Sequence, residues 1–345
     1  MNAIIDQDAK EILARIDLSP LKNKRVLLTG ANGLFGRYIA STISVANRDQ
    51  GLNCKLSCLS LHGATAEMHD LLRDKRIVFL RKDLSSSFHI RGAFDYVFHA
   101  ACYGQPAKFI GNPFSTLALN VEATKTLLEY CRKWKARFIF FSSAEVYGDI
   151  PKAFNPVSES YNGNCDTRGL RAIYGESKRM GETICSVFER EFGVSSIILR
   201  ISHTYGPGIS IHDARVLGNF LRKALVQRKI ELLDQGKSVK TYGYIGDVTA
   251  MIFFAALQGA HPVYNVGGKD TMTIRSLATH VGKICNVPVR IPKKDKKSKY
   301  IGQDPGFLRP NLSRILKEMK SFTFTPFPVG LERTIQWNKE VVMAP

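Results

Sequence analysis

No apolar run in this sequence approaches the roughly 18–20 residues that a membrane-spanning helix needs. Stretches such as Phe138–Phe141 and Met251–Leu257 are far shorter. No basic segment followed by an apolar stretch opens the chain. Asp6, Asp8 and Glu11 stand there instead, so no secretory signal is expected. Cysteine is sparse and odd in number. There are seven, only Cys54 and Cys58 lie close together, and no nearby Cys or His pair completes a zinc spacing. That excludes a disulfide framework, gives no reason to expect a metal, and fits reduced thiols in a cytoplasmic protein. Acids are in short supply: 30 Asp+Glu against 49 Lys+Arg leave a formal charge of +19. Such a balance admits nucleic acid, an anionic membrane surface or phosphate-bearing small molecules as partners. With 44% hydrophobic and 23% charged residues over 345 positions, the chain is neither disordered nor fibrous. It is long enough for one large domain or two ordinary ones.

Ile4, Ile5, Ala9, Ile12, Leu13 and Ile16 recur at helical spacing, which predicts an amphipathic leader helix over 4–17 that Pro20 ends. Short apolar strands then alternate with helices. Strands are predicted at Arg25–Thr29, Cys54–Ser60, Arg76–Leu80, Asp95–Phe98, Arg137–Ser142 and Ser196–Arg200. Helices are predicted at Leu34–Val45, Ala66–Arg73, Phe114–Lys133 and Arg171–Phe192. This alternation indicates βαβ units, hence an α/β fold with a Rossmann-type doubly wound parallel sheet. Beyond about residue 205 the pattern loosens, with short strands near Glu231–Leu233 and Val263–Val266 and an exposed basic loop at Lys293–Lys299. The expected organisation is a leader at 1–22 and a dinucleotide-binding domain at 23–205, with returning segments near 240–268. A smaller α/β substrate lobe is expected from 206–239 and 269–345.

Thr29-Gly30-Ala31-Asn32-Gly33-Leu34-Phe35-Gly36 joins the first strand to the first long helix. In a GxxGxxG turn the first glycine permits the tight turn and the second lets a pyrophosphate approach the backbone. The third packs the helix against the strand. The helix N-terminus offers unpaired N–H groups to the phosphates. A ribose-binding acid is expected at the end of the second strand, but Lys55–His62 ends without one. Ser60 and His62 tolerate a 2′-phosphate there, so NADP stands beside NAD. Asp83-Leu84 after the third strand is placed for an adenine contact, or else Asp83 caps a local turn.

Tyr174 and Lys178 lie four apart on a predicted helix and so project from one face. A free tyrosine titrates near about 10, and a neighbouring ammonium favours its phenolate. Ser143, at the carboxyl end of the Phe138–Ser142 run, stands where open α/β sheets bind ligands.

With these residues in hand, the sequence resembles the extended short-chain dehydrogenase/reductases, the nucleotide-sugar epimerase/dehydratase family. The resemblance runs from about Lys24 to Trp337. It is carried by GANGLFG (30–36), Phe98-His99-Ala100-Ala101, Asn120, SSAEVYG (142–148), YGESK (174–178), Arg200 to Pro207, Tyr244-Ile-Gly-Asp247 and Tyr264 to Gly268. Within the family the segments 99–120, 146–164 and 211–220 are most similar to UDP-glucuronate decarboxylases. The resemblance implies catalysis by Ser143, Tyr174 and Lys178, with Glu145 working at the neighbouring sugar carbons. It implies cofactor contacts from Gly30, Asn32, Gly33, Leu34, Phe35, Gly36, Ser60, Asp83, Leu84, Ala100, Ala101, Asn120, Ile201 and His203. Substrate contacts are implied for Tyr103, Ala144, His203, Arg215, Lys240 and Arg309, and a homodimer is implied through the helices at 114–133 and 171–192. No metal and no nucleic-acid partner are expected, and any membrane association is at most a peripheral attraction to an anionic surface.

The expected chemistry is decarboxylation of a UDP-hexuronate through a 4-keto sugar. The alternatives are 4-epimerisation, 4,6-dehydration and keto-sugar reduction. Outside enzymology stands a non-catalytic RNA-binding or regulatory protein on the same fold. Ala144 stands where 4,6-dehydratases of the TDP-glucose type usually carry an acid, which counts against dehydration. His203, Lys240, Arg309 and Asn311 also depart from the family pattern, all on the expected substrate side. Lys240 keeps a charge but lacks the bidentate fork of arginine.

Overall fold

The Asn2 side chain accepts the Ile4 N–H at 3.0 Å and so starts helix α1 (Ala3–Leu13) in the computed structural model, which describes residues 2–293 and 307–343. Ile5, Ala9 and Ile12 bury its apolar face. The helix stops at Leu13, short of the expected 17. Ile16 and Leu18 continue into the core from irregular chain, and Pro20 sits inside a 3₁₀ turn at Ser19–Leu21.

Next come β1 (Arg25–Thr29), α2 (Leu34–Asp49), β2 (Lys55–Ser60), β3 (Ile77–Arg81) and β4 (Tyr96–His99). Helix α2 runs one turn beyond the expected Val45. Residues 66–73, expected as α-helix, form a 3₁₀ run. Then follow α3 (Pro106–Gly111), α4 (Pro113–Leu117), α5 (Ala123–Trp134), β5 (Arg137–Ser143), α6 (Ala172–Phe192) and β6 (Ser196–Ile201). The single helix expected over 114–133 is interrupted. Between α4 and α5, Ala118–Glu122 forms a π-helical turn in which the Ala123 N–H reaches back to Ala118 O. The remaining elements are β7 (Thr204–Tyr205), α7 (Val216–Leu225), β8 (Ile230–Glu231), β9 (Val239–Tyr244), α8 (Ile245–Leu257), β10 (Val263–Val266), β11 (Asp270–Thr273), α9 (Ile274–Cys285), β12 (Val289–Arg290), α10 (Ser313–Met319) and α11 (Phe327–Met343). The strand expected at Glu231–Leu233 is the two-residue β8. The basic loop expected at Lys293–Lys299 lies, past Lys293, outside the described residues.

Seven strands pair in parallel in the order β3-β2-β1-β4-β5-β6-β10, as expected for a Rossmann-type doubly wound sheet. Alternate side chains leave opposite faces. Val26, Leu28, Ile139 and Phe141 join the larger core, with α1, α2 and α8, whereas Leu27, Phe138 and Phe140 join the core under α5 and α6. Strand order reverses between β1 and β4, and the crevice beyond that reversal is where such sheets bind ligands. Two small sheets, β11-β9-β7 and β12-β8, stand beside it. All seven cysteines are free thiols, and among the described residues no helix is long and apolar enough to cross a membrane.

Candidate active site

The glycine turn has the backbone its sequence demands. Gly30 adopts φ +70°, and a Cβ there would stand 2.7 Å from Ala101 N and 2.8 Å from Ala100 O. A side chain at Gly36 would fall on the Gly30 carbonyl, so α2 packs against the turn only because position 36 is bare. Gly33 caps α2 without any side-chain hydrogen bond, leaving the first-turn N–H groups of Leu34, Phe35 and Gly36 without a side-chain acceptor. This cradle fits a dinucleotide diphosphate: bare backbone, positive helix end, and a close β4 terminus at Ala100–Ala101. Asn32 and Ser60 both donate to Gly63 O, at 2.6 Å each, fixing the loop after β2. Asp83 accepts the Ser85 N–H and hydroxyl at 2.8 and 2.7 Å, the capping alternative, and Leu84 is buried in the core under α5.

Beyond β5 the reactive side chains converge. Ser143 ends the strand, and its Oγ accepts the Glu145 N–H at 3.2 Å. Ser143 and Cys102 both lie close enough to Tyr174 to act on its hydroxyl, Ser143 drawing its pKa down and Cys102 pushing it up, and Cys102 also acts on Lys178. Tyr174 is buried, with its ring stacked on Phe109 at 4.8 Å and 14°. Burial pushes the Tyr174 pKa well above its ordinary value. Lys178 Nζ donates to Phe141 O at 2.7 Å and lies 4.9 Å from the Phe140 ring centre, and burial lowers its own pKa.

Two groups the sequence reasoning missed complete the cluster. Arg171, three residues before Tyr174, forms an ion pair with Glu145 through Nη2 and Nε, and its guanidinium lies 5.5 Å over the Phe109 ring. The i,i+3 spacing to Tyr174 was the available signal. The second is His99, wholly buried behind the site. Its ring nitrogens meet Thr29 Oγ1 at 2.8 Å and Leu119 O at 3.0 Å. A carbonyl only accepts, so Nε2 carries the proton and Nδ1 accepts from the Thr29 hydroxyl, which itself accepts the Ala101 N–H at 3.2 Å. Because Ala123 N–H bonds to Ala118 O, the π turn leaves Leu119 O for the histidine. Burial, helped by Lys178, lowers the His99 pKa to about 3. In the same turn Asn120 donates to Ser177 Oγ at 2.9 Å, and its Oδ1 is buried with no partner.

The candidate substrate residues are more scattered. Arg215 spends its fork on Asp213, with Nε and Nη2 at 3.1 and 2.6 Å from the carboxylate. Lys240 is buried in β9 opposite Met272. His203 is exposed with its ring 6.4 Å from that of Tyr242, while Ile201 is buried at the end of β6. Arg309 is an exposed side chain whose backbone is fastened to Asn155 and Val157. Tyr103 and Ala144 flank the cluster from the β4 and β5 ends, half-buried and buried respectively.

Comparison with known proteins bears on the fold and the family. UDP-glucuronic acid decarboxylase 3 of Arabidopsis thaliana is 28% identical over 304 residues, covering 86% of this chain and 85% of that protein. UDP-glucuronic acid decarboxylase 1 of Xenopus tropicalis is 25% identical over 94% of this chain and 74% of its own length. In fold, the chain is similar to UDP-N-acetylglucosamine 4-epimerase from Methanobrevibacter ruminantium (TM-score 0.78, 21% identity, 93% of this chain and 99% of that one). It is also similar to an NAD-bound dTDP-glucose 4,6-dehydratase from Streptomyces venezuelae (TM-score 0.77, 22% identity, 92% and 97%). Residues 26–267 match the model of the NAD dependent epimerase/dehydratase family, and the chain belongs to that family.

Proposed function

We propose that this enzyme decarboxylates a UDP-linked hexuronate through a 4-keto sugar, using NAD held at the glycine turn. The observation that carries the reading is the cluster itself: the Ser143 and Tyr174 hydroxyls face each other beside a Glu145 carboxylate paired with Arg171. Gly30, Gly33, Gly36 and the first-turn N–H groups of α2 would hold the diphosphate, with Ala100 and Ala101 against it. When bound, NAD supplies the hydride acceptor and donor for the sugar's C4. Ser143 orients the 4-oxygen and Tyr174 takes its proton. The resulting ketone makes the C6 carboxylate part of a β-keto acid, so carbon dioxide leaves with its bonding electrons passing into the enolate. Glu145 assists delivery of a solvent proton to the adjacent carbon, where it replaces the lost carbon dioxide, and Tyr174 returns the first proton to the 4-oxygen. Lys178 supplies positive charge one helical turn from Tyr174.

Three features support a uronate over a neutral hexose. Arg171 adds positive charge next to Glu145, Ala144 withholds the second acid that dehydration uses, and relatives covered over most of their length are named UDP-glucuronic acid decarboxylases. The second reading is 4-epimerisation. It is favoured by the similarity in fold to UDP-glucuronic acid 4-epimerase from Bacillus cereus (TM-score 0.76, 21% identity, 92% of this chain and 99% of that one). NADP is the alternative cofactor, since β2 ends without an acid. The test is to extract and identify the dinucleotide, then incubate the enzyme with a panel of nucleotide sugars and weigh the products. Loss of carbon dioxide from UDP-glucuronate is expected. Loss of water, or an isomer of unchanged mass, would replace the reading with dehydration or epimerisation.

A further inference from the structure

Helix α1 lies outside the chemistry, yet its Asp8 is one of the most deeply buried carboxylates in the protein. Asp8 Oδ2 accepts the Tyr38 hydroxyl at 2.6 Å and the Tyr244 hydroxyl at 2.7 Å, and Oδ1 accepts Arg333 Nη1 at 2.7 Å. Those three donors belong to α2, to the end of β9 and to α11. Arg333 also pairs with Glu11 of α1 at 2.6 and 2.8 Å. Just past α1, Arg15 pairs with Asp247 of α8 at 2.5 Å, and Asp247 accepts the Thr325 N–H and hydroxyl at 2.9 and 2.8 Å, immediately before α11.

Burying such a carboxylate is costly, and desolvation does raise the Asp8 pKa. An apolar set in place of all four groups would fill the same space more cheaply. What the carboxylate adds is direction, because each hydrogen bond fixes where its donor stands. Tyr38 follows Leu34 by four residues, so it lies one turn along the same face of α2. Fixing Tyr38 therefore fixes the rotation of the turn whose N–H groups form the phosphate cradle. Fixing Tyr244 fixes the end of the strand that carries Lys240.

We infer that α1 is a latch in which Asp8 acts as a positioning residue, holding the phosphate-binding helix and the β9–α11 elements in one relation. Its loss weakens dinucleotide and sugar-nucleotide binding without touching the chemical step. The inference rests on the glycine turn binding NAD. Calorimetric titration of the wild-type chain, Asp8→Ala, Tyr38→Phe and Tyr244→Phe, each stripped of co-purified dinucleotide, with NAD and with UDP tests it, together with kcat at saturation. Asp8→Ala is expected to raise both dissociation constants on the order of tenfold, ~1.4 kcal/mol each, with kcat little changed. Each Tyr→Phe change keeps its ring and the Arg333 pair, so it folds even if Asp8→Ala does not. Tyr38→Phe is expected to weaken NAD binding selectively and Tyr244→Phe to weaken UDP binding selectively. Wild-type affinities in both tyrosine variants overturn the latch while leaving the proposed function standing. A wild-type protein that binds no dinucleotide overturns the proposed function and this inference with it.

Discussion

Arg171 and Glu145 form an ion pair at the centre of the reactive cluster, and the same guanidinium covers the Phe109 ring on which Tyr174 stacks. One cation thus orders both the carboxylate proposed to handle the carbon acid and the platform behind the proposed base. Both partners are about one-fifth exposed, so the pair is partly screened, yet truncating one side leaves the other poorly matched. Arg171→Gln is expected to lower kcat/KM for UDP-glucuronate by roughly ten- to hundredfold, with Arg171→Lys between the two because lysine keeps the charge and loses the fork. Steady-state kinetics of the two variants side by side check the order.

Tyr174→Phe removes one oxygen and keeps the Phe109 stack. Positioned acid–base groups contribute about 10²- to 10⁴-fold, and a loss in that range or beyond is expected. The melting temperature should stay close to wild type, because the ring and its burial are retained. Turnover near wild type would remove Tyr174 from the role of base.

Gly36→Ala tests the cradle. A methyl group at this position meets the Gly30 carbonyl, so either the turn opens or α2 moves away from β1. Overpacking of this kind costs about 1–3 kcal/mol. The variant is expected to be purified with little or no dinucleotide and to need at least roughly tenfold more NAD for half-saturation. Absorbance and mass analysis of the released cofactor give the answer directly.

His99 makes stability depend on acid. Its pKa falls from 6.5 to about 3 on folding, because burial and the Lys178 charge disfavour the imidazolium. Between those values the unfolded chain binds more protons than the folded one, so unfolding becomes easier as pH drops from about 6.5 toward 3. The slope from this one group approaches ~1.4 kcal/mol per pH unit in the middle of that window. His99→Gln is expected to be less stable at neutral pH and to lose part of that slope. Denaturant unfolding across the window measures both, and an unchanged slope would exclude His99 as the source.

Much of this was legible from local pattern, and the failures share a physical cause. The strands, the glycine turn and the Tyr174–Lys178 helix rest on residues a few positions apart, where period and turn chemistry speak directly. For Asp83 the sequence left an adenine contact and a local cap open, and the structure adds the Ser85 contacts that make the cap. The 3₁₀ run at 66–73 and the π turn at 118–122 kept an apolar spacing compatible with an α-helix, so hydrophobic period does not separate them. Arg171 was missed because its carboxylate partner is 26 positions away, and the two meet only when α6 docks beside β5. Arg215 was expected among the substrate contacts, and the structure adds that its Nε and Nη2 are held by Asp213 two residues back, a local pair the motif did not announce.

The faces of α4 and α6 that the sheet does not use lead to the last prediction. Phe114 is 85% exposed and Met180 50% exposed, with Leu117 partly open and Leu170, just before α6, largely so. Scattered apolar residues on a surface need no explanation, but large ones gathered on neighbouring helices mark an association face. Helices α4 and α6 pack against each other, so these side chains present from adjoining elements. A second copy of the chain is the proposed occupant, because a two-fold arrangement would set this apolar face against its own equivalent. Sedimentation at micromolar concentration is expected to give a dimer. A Phe114→Asp, Met180→Glu double variant should shift it to monomer while leaving the fold intact, since neither side chain is part of the buried core. A wild-type monomer at that concentration, or a dimer indifferent to both charges, would place the association elsewhere and leave these residues as ordinary exposed surface.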